Sequence, residues 1–383
     1  MHQLHVNRAP LPDLERIGGL LQSAIDAGAF TGVQLAVELR GESLELCLGE
    51  ASAGEPMSPG HLLPWLSAGK PLTAIAWAQL WQAGRIGLDD PIVEHIPEFG
   101  QRGKAAITYR HLLTHTGGFR SMVDVDSRQP DWAAEVDRVC RARLERDWIL
   151  GRRAGYQARG SWYILGETLQ RLTGRPLADI VRVDICEPAG LEDVWLEMPA
   201  QRFSDYGSRI GELFDTTDPS NPISEEDIWG PDAAGTCVPG TSARGPMRDL
   251  CRLYATLLRR DGTLLGPPTL EAMVARQRSG LFDETFRHSL DWGLGFVLDS
   301  NHHGADTVPY GYGRHASSRA FGHAGARCVS GFADPESELA VALGVNGRLA
   351  QTAHVDQFRE LLTAIYEDLE IPGSDLMTTM EST

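Results

Sequence analysis

The chain has 383 residues, of which 42% are hydrophobic, and a formal net charge of -17 at pH 7. This size and composition allow one large domain or two closely packed domains, and they exclude a fibrous or disordered chain. The acidic balance argues against nucleic acid as a partner, because phosphate groups require a basic surface. We also expect a cytoplasmic protein that does not enter a membrane, because residues 1–20 lack a secretory signal and no apolar stretch is long enough to span a bilayer.

Cysteine and lysine are used in ways that bear on the chemistry. The six cysteines are far apart and form no CxxC pair, which favours reduced, buried thiols over disulfides or a zinc site. We therefore expect no metal and no cofactor. Of the 35 basic residues only Lys70 and Lys104 are lysines, so a lysine in this chain indicates a chemical requirement.

The first part of the chain predicts a helix followed by a hairpin. Residues 11–27 have the apolar spacing of a helix, and residues 32–39 and 43–48 have strand patterns on either side of a short turn. The last part has the reverse order, with strands at 327–333 and 338–345 before a helix at 352–369. The two ends therefore predict an αββ unit and a ββα unit.

The middle of the chain predicts mainly helices. The helical patterns are separated by loops rich in Gly and Pro, and they cover residues 71–83, 133–145, 161–172 and 247–259. Residues 299–318 form a polar loop that we expect at the surface.

The simplest architecture is of the α/β (α+β) class. Both chain ends contribute to one antiparallel sheet flanked by helices, and the middle forms a mainly helical lobe. We predict a discontinuous sheet domain of residues 1–60 and 286–383, a lobe of residues 61–285, and an active site between them.

Ser67 and Lys70 open a segment that has the pattern of a buried, catalytic helix. Residues 71–81 contain no charge, so the helix is expected to be buried on most sides. Residues three apart share a helical face, so the Lys70 amine can reach the Ser67 hydroxyl, and the helix dipole and burial favour loss of protons. This predicts an activated serine nucleophile. The alternative is a Ser67 that only caps the helix and a solvated Lys70.

Four segments together resemble the class C β-lactamase and penicillin-binding-protein-like serine hydrolases. They are Ser-Ala-Gly-Lys-Pro at 67–71, Ile-Thr-Tyr-Arg-His-Leu-Leu-Thr-His-Thr-Gly-Gly at 107–118, the segment 155–166, and Phe-Gly-His-Ala-Gly at 321–325. The resemblance spans almost the whole chain and implies the β-lactamase/transpeptidase-like fold.

The resemblance also implies a role for a tyrosine on a loop of the helical lobe. Tyr156 matches this position and is expected to remove the Ser67 proton, with Lys70 tuning the pair. Tyr163 is the alternative if the loop is aligned differently. The chain has Tyr-Gln-Ala at 156–158, as in the esterase-like branch, where the Asn that helps to bind β-lactam side chains is absent.

The third matching element is His323-Ala324-Gly325, on a strand at the edge of the active site. Its glycine allows close approach of a substrate. In the family the backbone N–H groups corresponding to Ser67 and Ala326 form an oxyanion hole, which stabilises developing negative charge. We expect His323, Gly325 and Trp162 to contact the substrate. Further aromatic residues that can supply an apolar substrate site are Trp65, Tyr163, Trp229, Trp292, Tyr310 and Tyr312.

Other motifs are rejected. His111 and His115 have the spacing of a zinc helix, but Leu112 occupies the place of the catalytic Glu, which favours a structural pair. The segment 311–316 fits G-x-G-x-x-A without a preceding strand or a following helix, so we predict no dinucleotide site. No G-x-S-x-G elbow occurs.

The predicted function is acyl transfer from a small-molecule ester or amide through a Ser67 acyl-enzyme. A hydrolase of the carboxylesterase or amidase type is expected first, because water is the commonest acceptor. An alternative is a transacylase that passes the acyl group to an amine or alcohol. An alternative of another class is a catalytically idle scaffold or binding protein. The acyl group and the oligomeric state are left open.

Overall fold

The computed structural model describes residues 12–120 and 131–372, in which both chain ends join one seven-stranded sheet. All neighbouring strands of the sheet are antiparallel. The strands are β1 (Gly32–Leu39), β2 (Glu42–Ser52), β3 (Glu55–Pro56), β4 (Val297–Leu298), β5 (Phe321–Gly325), β6 (Val329–Asp334) and β7 (Leu339–Val345). Their order across the sheet is β4-β5-β6-β7-β1-β2-β3.

The predicted hairpins are confirmed, and the first has a sequence-encoded turn. Arg40 and Gly41 have φ of 54° and 85°, the left-handed conformation that a two-residue hairpin turn requires. Strand β1 then pairs with β7, so Val33 lies opposite Val345 and Ala36 opposite Ala342. This pairing joins the two ends of the chain at the centre of the sheet.

In the described part of the chain, helices surround the sheet or form the lobe. They are α1 (Glu15–Asp26), α2 (Lys70–Gln82), α3 (Tyr109–Leu113), α4 (Trp132–Arg141), α5 (Gly160–Thr173), α6 (Met247–Arg259) and α7 (Gln351–Asp368). Further helices occur at Leu177–Val181, Glu187–Ala189, Ala200–Tyr206, Glu226–Trp229, Pro231–Ala234 and Pro267–Val274. Short strands pair outside the sheet at Leu63–Pro64 with Arg244–Gly245, Phe214–Asp215 with Ile223–Ser224 and Gly347–Arg348, and Phe282–Asp283 with His288–Ser289.

Helices from different parts of the chain cover the sheet. Helices α1 and α7 pack together, and the N–H of Ile17 donates to Asp368 Oδ2 at 2.9 Å. Helix α6 packs on β1, β6 and β7, although it comes from the middle of the chain. The proposed division into a domain of residues 1–60 and 286–383 and a lobe of 61–285 stays a prediction, and its terminal residues 1–11 and 373–383 lie outside the described residues.

The predicted helices occur with small shifts at their ends. The first predicted helix begins at Glu15 and not at residue 11, which lies outside the described residues. Helix α4 ends at Arg141, four residues before the predicted end. The ammonium of Lys104 donates to the carbonyl of Cys140 at 2.9 Å and to that of Ala142, and this capping of the last carbonyls explains the early end.

The polar loop at 299–318 differs from its predicted surface position. Tyr312 is 0% exposed, its hydroxyl donates to the carbonyl of Val297 at 2.9 Å, and its ring stacks on Phe332 with centroids 4.8 Å apart. The surface prediction was wrong here because two tyrosines in a polar segment can fold inward and anchor the loop. The anchored loop places Tyr310 in the wall of a cavity beside Ser67.

Among the described helices, none combines the length and the apolar character that a membrane span requires.

Candidate active site

Ser67 lies in a tight turn immediately before α2. The turn is a 3-10 helix over Leu66–Gly69, and Leu66 enters it with a left-handed φ of 49°. A Cβ on Gly69 would lie 2.2 Å from the Cβ of Ala243, so a glycine is required where the turn packs against that residue. The turn fixes Ser67 rigidly at the N-terminal end of a helix that is buried almost all round.

The structure brings Ser67, Lys70 and Tyr156 together. Lys70 Nζ lies at hydrogen-bond distance, 2.8 Å, from Ser67 Oγ and donates to the carbonyl of Gly240 at 2.7 Å. The hydroxyl of Tyr156 donates to the same Ser67 Oγ at 2.8 Å. Lys70 is 0% exposed, which contradicts the alternative of a solvated lysine. Tyr163 instead packs against Trp132, with ring centroids 5.2 Å apart.

Burial shifts the pKa values of the two partners of Ser67 in opposite directions. Desolvation lowers the pKa of Lys70 well below its usual range, which favours the free amine. Desolvation also raises the pKa of Tyr156, with a smaller opposing effect of its hydrogen bond to Ser67, and this keeps the phenol protonated. A free amine can accept a proton and a neutral phenol can donate one. These directions favour Lys70 as the acceptor of the Ser67 proton, whereas the sequence predicted Tyr156 in this role.

Strand β5 packs directly against the Ser67 turn. A Cβ on Gly325 would lie 2.2 Å from the carbonyl oxygen of Trp65, so only glycine permits this approach. His323 is buried, and its Nδ1 lies 2.8 Å from the carbonyl oxygen of Ala324, which assigns the proton to Nδ1. Burial, with a smaller effect of Lys70, lowers the pKa of His323 to about 3. His323 is therefore a neutral imidazole beside the nucleophile.

A cavity of about 60 Å³ opens beside the Ser67 hydroxyl. Ser67, Tyr156, His323 and Ala326 contribute to its wall, and Ala326 follows directly after β5. The other lining residues are predominantly apolar, and they are Phe286, Leu290, Val297, Tyr310 and Ala324. An acyl group attached to Ser67 can occupy this cavity without meeting a charged side chain.

The predicted aromatic residues have different positions around the site. Trp162 is fully buried and lies on the Lys70 side, with its ring centroid 5.5 Å from Nζ, and it does not line the cavity. Tyr310 lines the cavity, and Trp292 packs against Tyr156 with centroids 5.9 Å apart. Trp65 is buried immediately before the Ser67 turn. The remaining aromatic residues of the predicted set do not line this cavity, and they are Tyr163, Trp229 and Tyr312.

Sequence reasoning missed the residues that hold the Tyr156 loop. Asp283 Oδ1 accepts hydrogen bonds from the N–H groups of Tyr156 at 3.1 Å and Phe286 at 3.0 Å. Its Oδ2 accepts from Arg278 at 2.9 Å, and both side chains of this ion pair are buried. An ion pair between residues five apart in a loop has no sequence pattern that distinguishes it from two solvated charges. His115 also contacts this loop, whereas the sequence indicated it only as part of the matching segment 107–118 and of a rejected zinc motif.

One group among the described residues has donor atoms close enough together to hold a metal ion, namely Asp291, His302 and His303. The Asp291 carboxylate already accepts hydrogen bonds from Arg276 Nε at 2.8 Å and from His303 Nε2 at 3.0 Å. It therefore has a positively charged partner. The rejected zinc residue His111 has a structural contact, because its Nδ1 accepts from the N–H of Thr108 at 3.0 Å at the start of α3.

Comparison with known proteins agrees with this geometry. The family model described as Beta-lactamase matches residues 18–365. The chain belongs to the beta-lactamase family. This membership confirms the expected fold and the prediction of a serine acyl-transfer enzyme. The alternative hypothesis of a catalytically idle scaffold is not favoured.

Relatives within the beta-lactamase family cover nearly the whole chain. Esterase EstB of Burkholderia gladioli is 27% identical over 86% of this chain and 90% of its own length. Penicillin-binding protein 4 of Amycolatopsis lactamdurans is 29% identical over 86% of this chain and 84% of its own. The crystal structure of a penicillin-binding protein homologue from Caulobacter crescentus has a TM-score of 0.76 at 25% identity, covering 94% of this chain and 99% of that chain.

Proposed function

We propose that this enzyme hydrolyses a small-molecule ester through an acyl-enzyme on Ser67. The observation that carries the proposal is the pair of 2.8 Å hydrogen bonds that Ser67 Oγ forms with Lys70 Nζ and with the Tyr156 hydroxyl at the edge of an apolar cavity. Esterase EstB among the relatives supports an ester substrate. A cytoplasmic location stays a prediction.

Acylation follows from the protonation states that burial favours. The Ser67 hydroxyl transfers its proton to the free amine of Lys70 as its Oγ bonds to the substrate carbonyl carbon. The carbonyl oxygen becomes an oxyanion, and the N–H groups of Ser67 and Ala326 stabilise it. As the ester bond breaks, Tyr156 donates its proton to the leaving oxygen, and the Lys70 ammonium restores the phenol proton. Each step conserves charge, and the site returns to a free amine and a neutral phenol.

The oxyanion donors are proposed from their position. The N–H of Ser67 belongs to the first turn of a helix, where backbone N–H groups have no acceptor within the helix. Ala326 directly follows the C-terminal end of β5 and lines the same cavity as Ser67. Loss of one such donor typically costs about 3 to 4 kcal/mol of transition-state stabilisation.

Deacylation uses the same groups with water as the nucleophile. The water transfers a proton to the Lys70 amine as it attacks the acyl carbon, and Ser67 Oγ leaves and takes this proton back from the Lys70 ammonium. Because the cavity is small and apolar, we propose that it receives the acyl group and that the leaving alcohol extends toward solvent.

The test uses p-nitrophenyl butyrate with the wild type and Ser67→Ala, followed by nitrophenol release and intact mass. We expect turnover and a butyryl adduct in the wild type and neither in the variant, with a loss of rate of about 10⁴-fold or more. Added amines or alcohols distinguish the acceptors, because a faster reaction with a new acyl product identifies a transacylase. Equal rates in both proteins, together with no labelling of Ser67 by a fluorophosphonate, would contradict the proposal.

A further inference from the structure

Tyr156 can act on Ser67 only if its loop holds the hydroxyl in place. The residues between Ala154 and the start of α5 at Gly160 form neither a helix nor a continuous strand, so backbone pairing along the segment does not fix them. A shift of about 1 Å in a catalytic group can cost about 100-fold in rate. The loop therefore requires specific contacts on both sides of the tyrosine.

One residue supplies contacts on both sides. The N–H of Gly155 donates to the carbonyl oxygen of His115 at 3.0 Å, and the N–H of Gln157 donates to His115 Nδ1 at 3.1 Å. The ring of His115 also packs against the ring of Tyr156, with centroids 4.7 Å apart. His115 thus contacts the tyrosine ring and the backbone immediately before and after it.

His115 is itself held in one orientation. It follows α3 in the left-handed conformation with φ of 55°, and its side chain is buried. The ring packs edge-on against Trp292 with centroids 4.5 Å apart, and Trp292 contacts Tyr156 in turn. The ring is thus enclosed between Tyr156 and Trp292.

The hydrogen bond from Gln157 also determines the tautomer. Because Nδ1 accepts a hydrogen bond, it is unprotonated, and a neutral ring carries its proton on Nε2. Burial lowers the pKa of His115 well below its usual value, and the charge of Arg278 adds to this effect. The acceptor at Nδ1 is therefore present at neutral pH.

We propose that His115 is a positioning residue for the reaction, which places the Tyr156 hydroxyl against Ser67 through the acceptor at Nδ1 and the packed ring. The inference rests on the proposed function of Tyr156 and assigns to the second histidine of the segment 107–118 a role in acyl transfer. His115 does not touch the reacting atoms and acts through Tyr156.

Two substitutions separate the acceptor from the bulk of the side chain. In His115→Asn the side-chain Oδ1 can take the place of Nδ1, and Asn tolerates the left-handed conformation. In His115→Gln the polar side-chain atoms are one covalent bond further from the backbone, so the hydrogen bond from the Gln157 N–H is lost. We expect His115→Gln to lower kcat for ethyl butyrate, whose leaving oxygen needs the Tyr156 proton, about 100-fold with little change in KM. His115→Asn should recover to within about 5-fold of the wild type.

The same substitutions are then made together with Tyr156→Phe. If His115 acts through the Tyr156 hydroxyl, His115→Gln should cause less than about a 3-fold further loss in the Tyr156→Phe protein. A merely structural role would lower the rate equally in both backgrounds, and near-UV circular dichroism reports the folded fraction of each variant. Equal losses in both backgrounds, or a folded His115→Asn protein as slow as His115→Gln, would overturn the inference alone. A Tyr156→Phe protein with the wild-type rate would overturn the proposed role of Tyr156, and the inference with it.

Discussion

The carbonyl oxygen of Gly240 lies 2.7 Å from Lys70 Nζ, although the two residues are 170 positions apart in the chain. Together with Ser67, this carbonyl orients the amine, because two of the three bonding directions of the nitrogen then have fixed partners. The Gly240 carbonyl and Ser67 hold the Lys70 amine in position, and burial lowers its pKa. Lys70 is thus both positioned and chemically tuned by the fold.

Gly240→Ala should displace this contact. A Cβ at this position would lie 2.7 Å from the carbonyl oxygen of Ala158 and 3.1 Å from Lys70 Nζ. Since the first neighbour is backbone two residues after Tyr156, we expect kcat to fall about 100-fold. Gly19→Ala in α1 is the matched control, because nothing lies within 4 Å of its added Cβ. The control should keep wild-type kinetics and gain about 1 kcal/mol in the free energy of unfolding.

The two lysines should behave differently when each is replaced by Met. Lys70→Met removes the proton acceptor, so we expect kcat to fall by about 10² to 10⁴ while the melting temperature is kept or raised, because a buried amine is lost. Lys104→Met removes the cap of α4 and should lower the free energy of unfolding by about 1 to 3 kcal/mol without a change in kcat per folded molecule. Steady-state kinetics and thermal unfolding measure both. A similar loss of kcat in both variants would contradict the assignment.

Tyr156→Phe should lower kcat by about 10² to 10³ with little change in KM, because it removes the proton donor and keeps the ring packing with Phe286. Tyr163→Phe is the control, since Tyr163 packs against Trp132, and it should retain activity close to wild type. Rates for an alkyl ester are the informative measurement, because a poor leaving group needs the proton more than nitrophenol does. A larger loss in Tyr163→Phe would instead support that residue.

Leu290→Ala should change the preferred acyl length. Leu290 lines the cavity, and the shortened side chain leaves room for a longer acyl chain. The ratio of kcat/KM for hexanoyl over butyryl p-nitrophenyl esters should rise about 10-fold. Leu270→Ala, in the helix Pro267–Val274, removes a similarly buried leucine that does not line the cavity. Both should lose about 2 to 5 kcal/mol of stability, and an equal shift of the ratio in both would count against the acyl cavity.

His354 should make the protein less stable in acid. Burial lowers the pKa of His354 from 6.5 to about 3, so between these pH values the unfolded chain binds more protons than the folded one. The free energy of unfolding therefore rises with pH through this window, and the stabilisation is lost as the pH falls. Urea unfolding at pH values from 4 to 8 gives the free energy of unfolding as a function of pH. Below pH 6.5 this free energy should rise less steeply with pH in His354→Gln than in the wild type, by up to about 1.4 kcal/mol per pH unit. An unchanged slope would mean that His354 is charged in the folded state.

Local signals in the sequence predicted the hairpins and the nucleophile. Arg40-Gly41 forms a two-residue turn, and the apolar strands on either side can pair only in the register that buries their shared face. Ser67 and Lys70 are three residues apart at the start of an uncharged helix, and helical geometry alone brings their side chains together. Both features depend only on residues a few positions apart, and for this reason they can be predicted from short segments of the sequence.

The cavity and the support of Tyr156 depend on long-range contacts. Tyr310 reaches the cavity because Tyr312 anchors its loop in the core, and Asp283 holds Tyr156 from 127 positions away. Gly240 has no local pattern that predicts a bond to Lys70. Hydrophobic periodicity and turn chemistry determined which segments are helices, strands and catalytic turns. Only the packing of distant loops decided which groups surround Ser67. The contacts between these loops stabilise the protein only after folding has brought distant parts of the chain together, so no short segment of the sequence contains them.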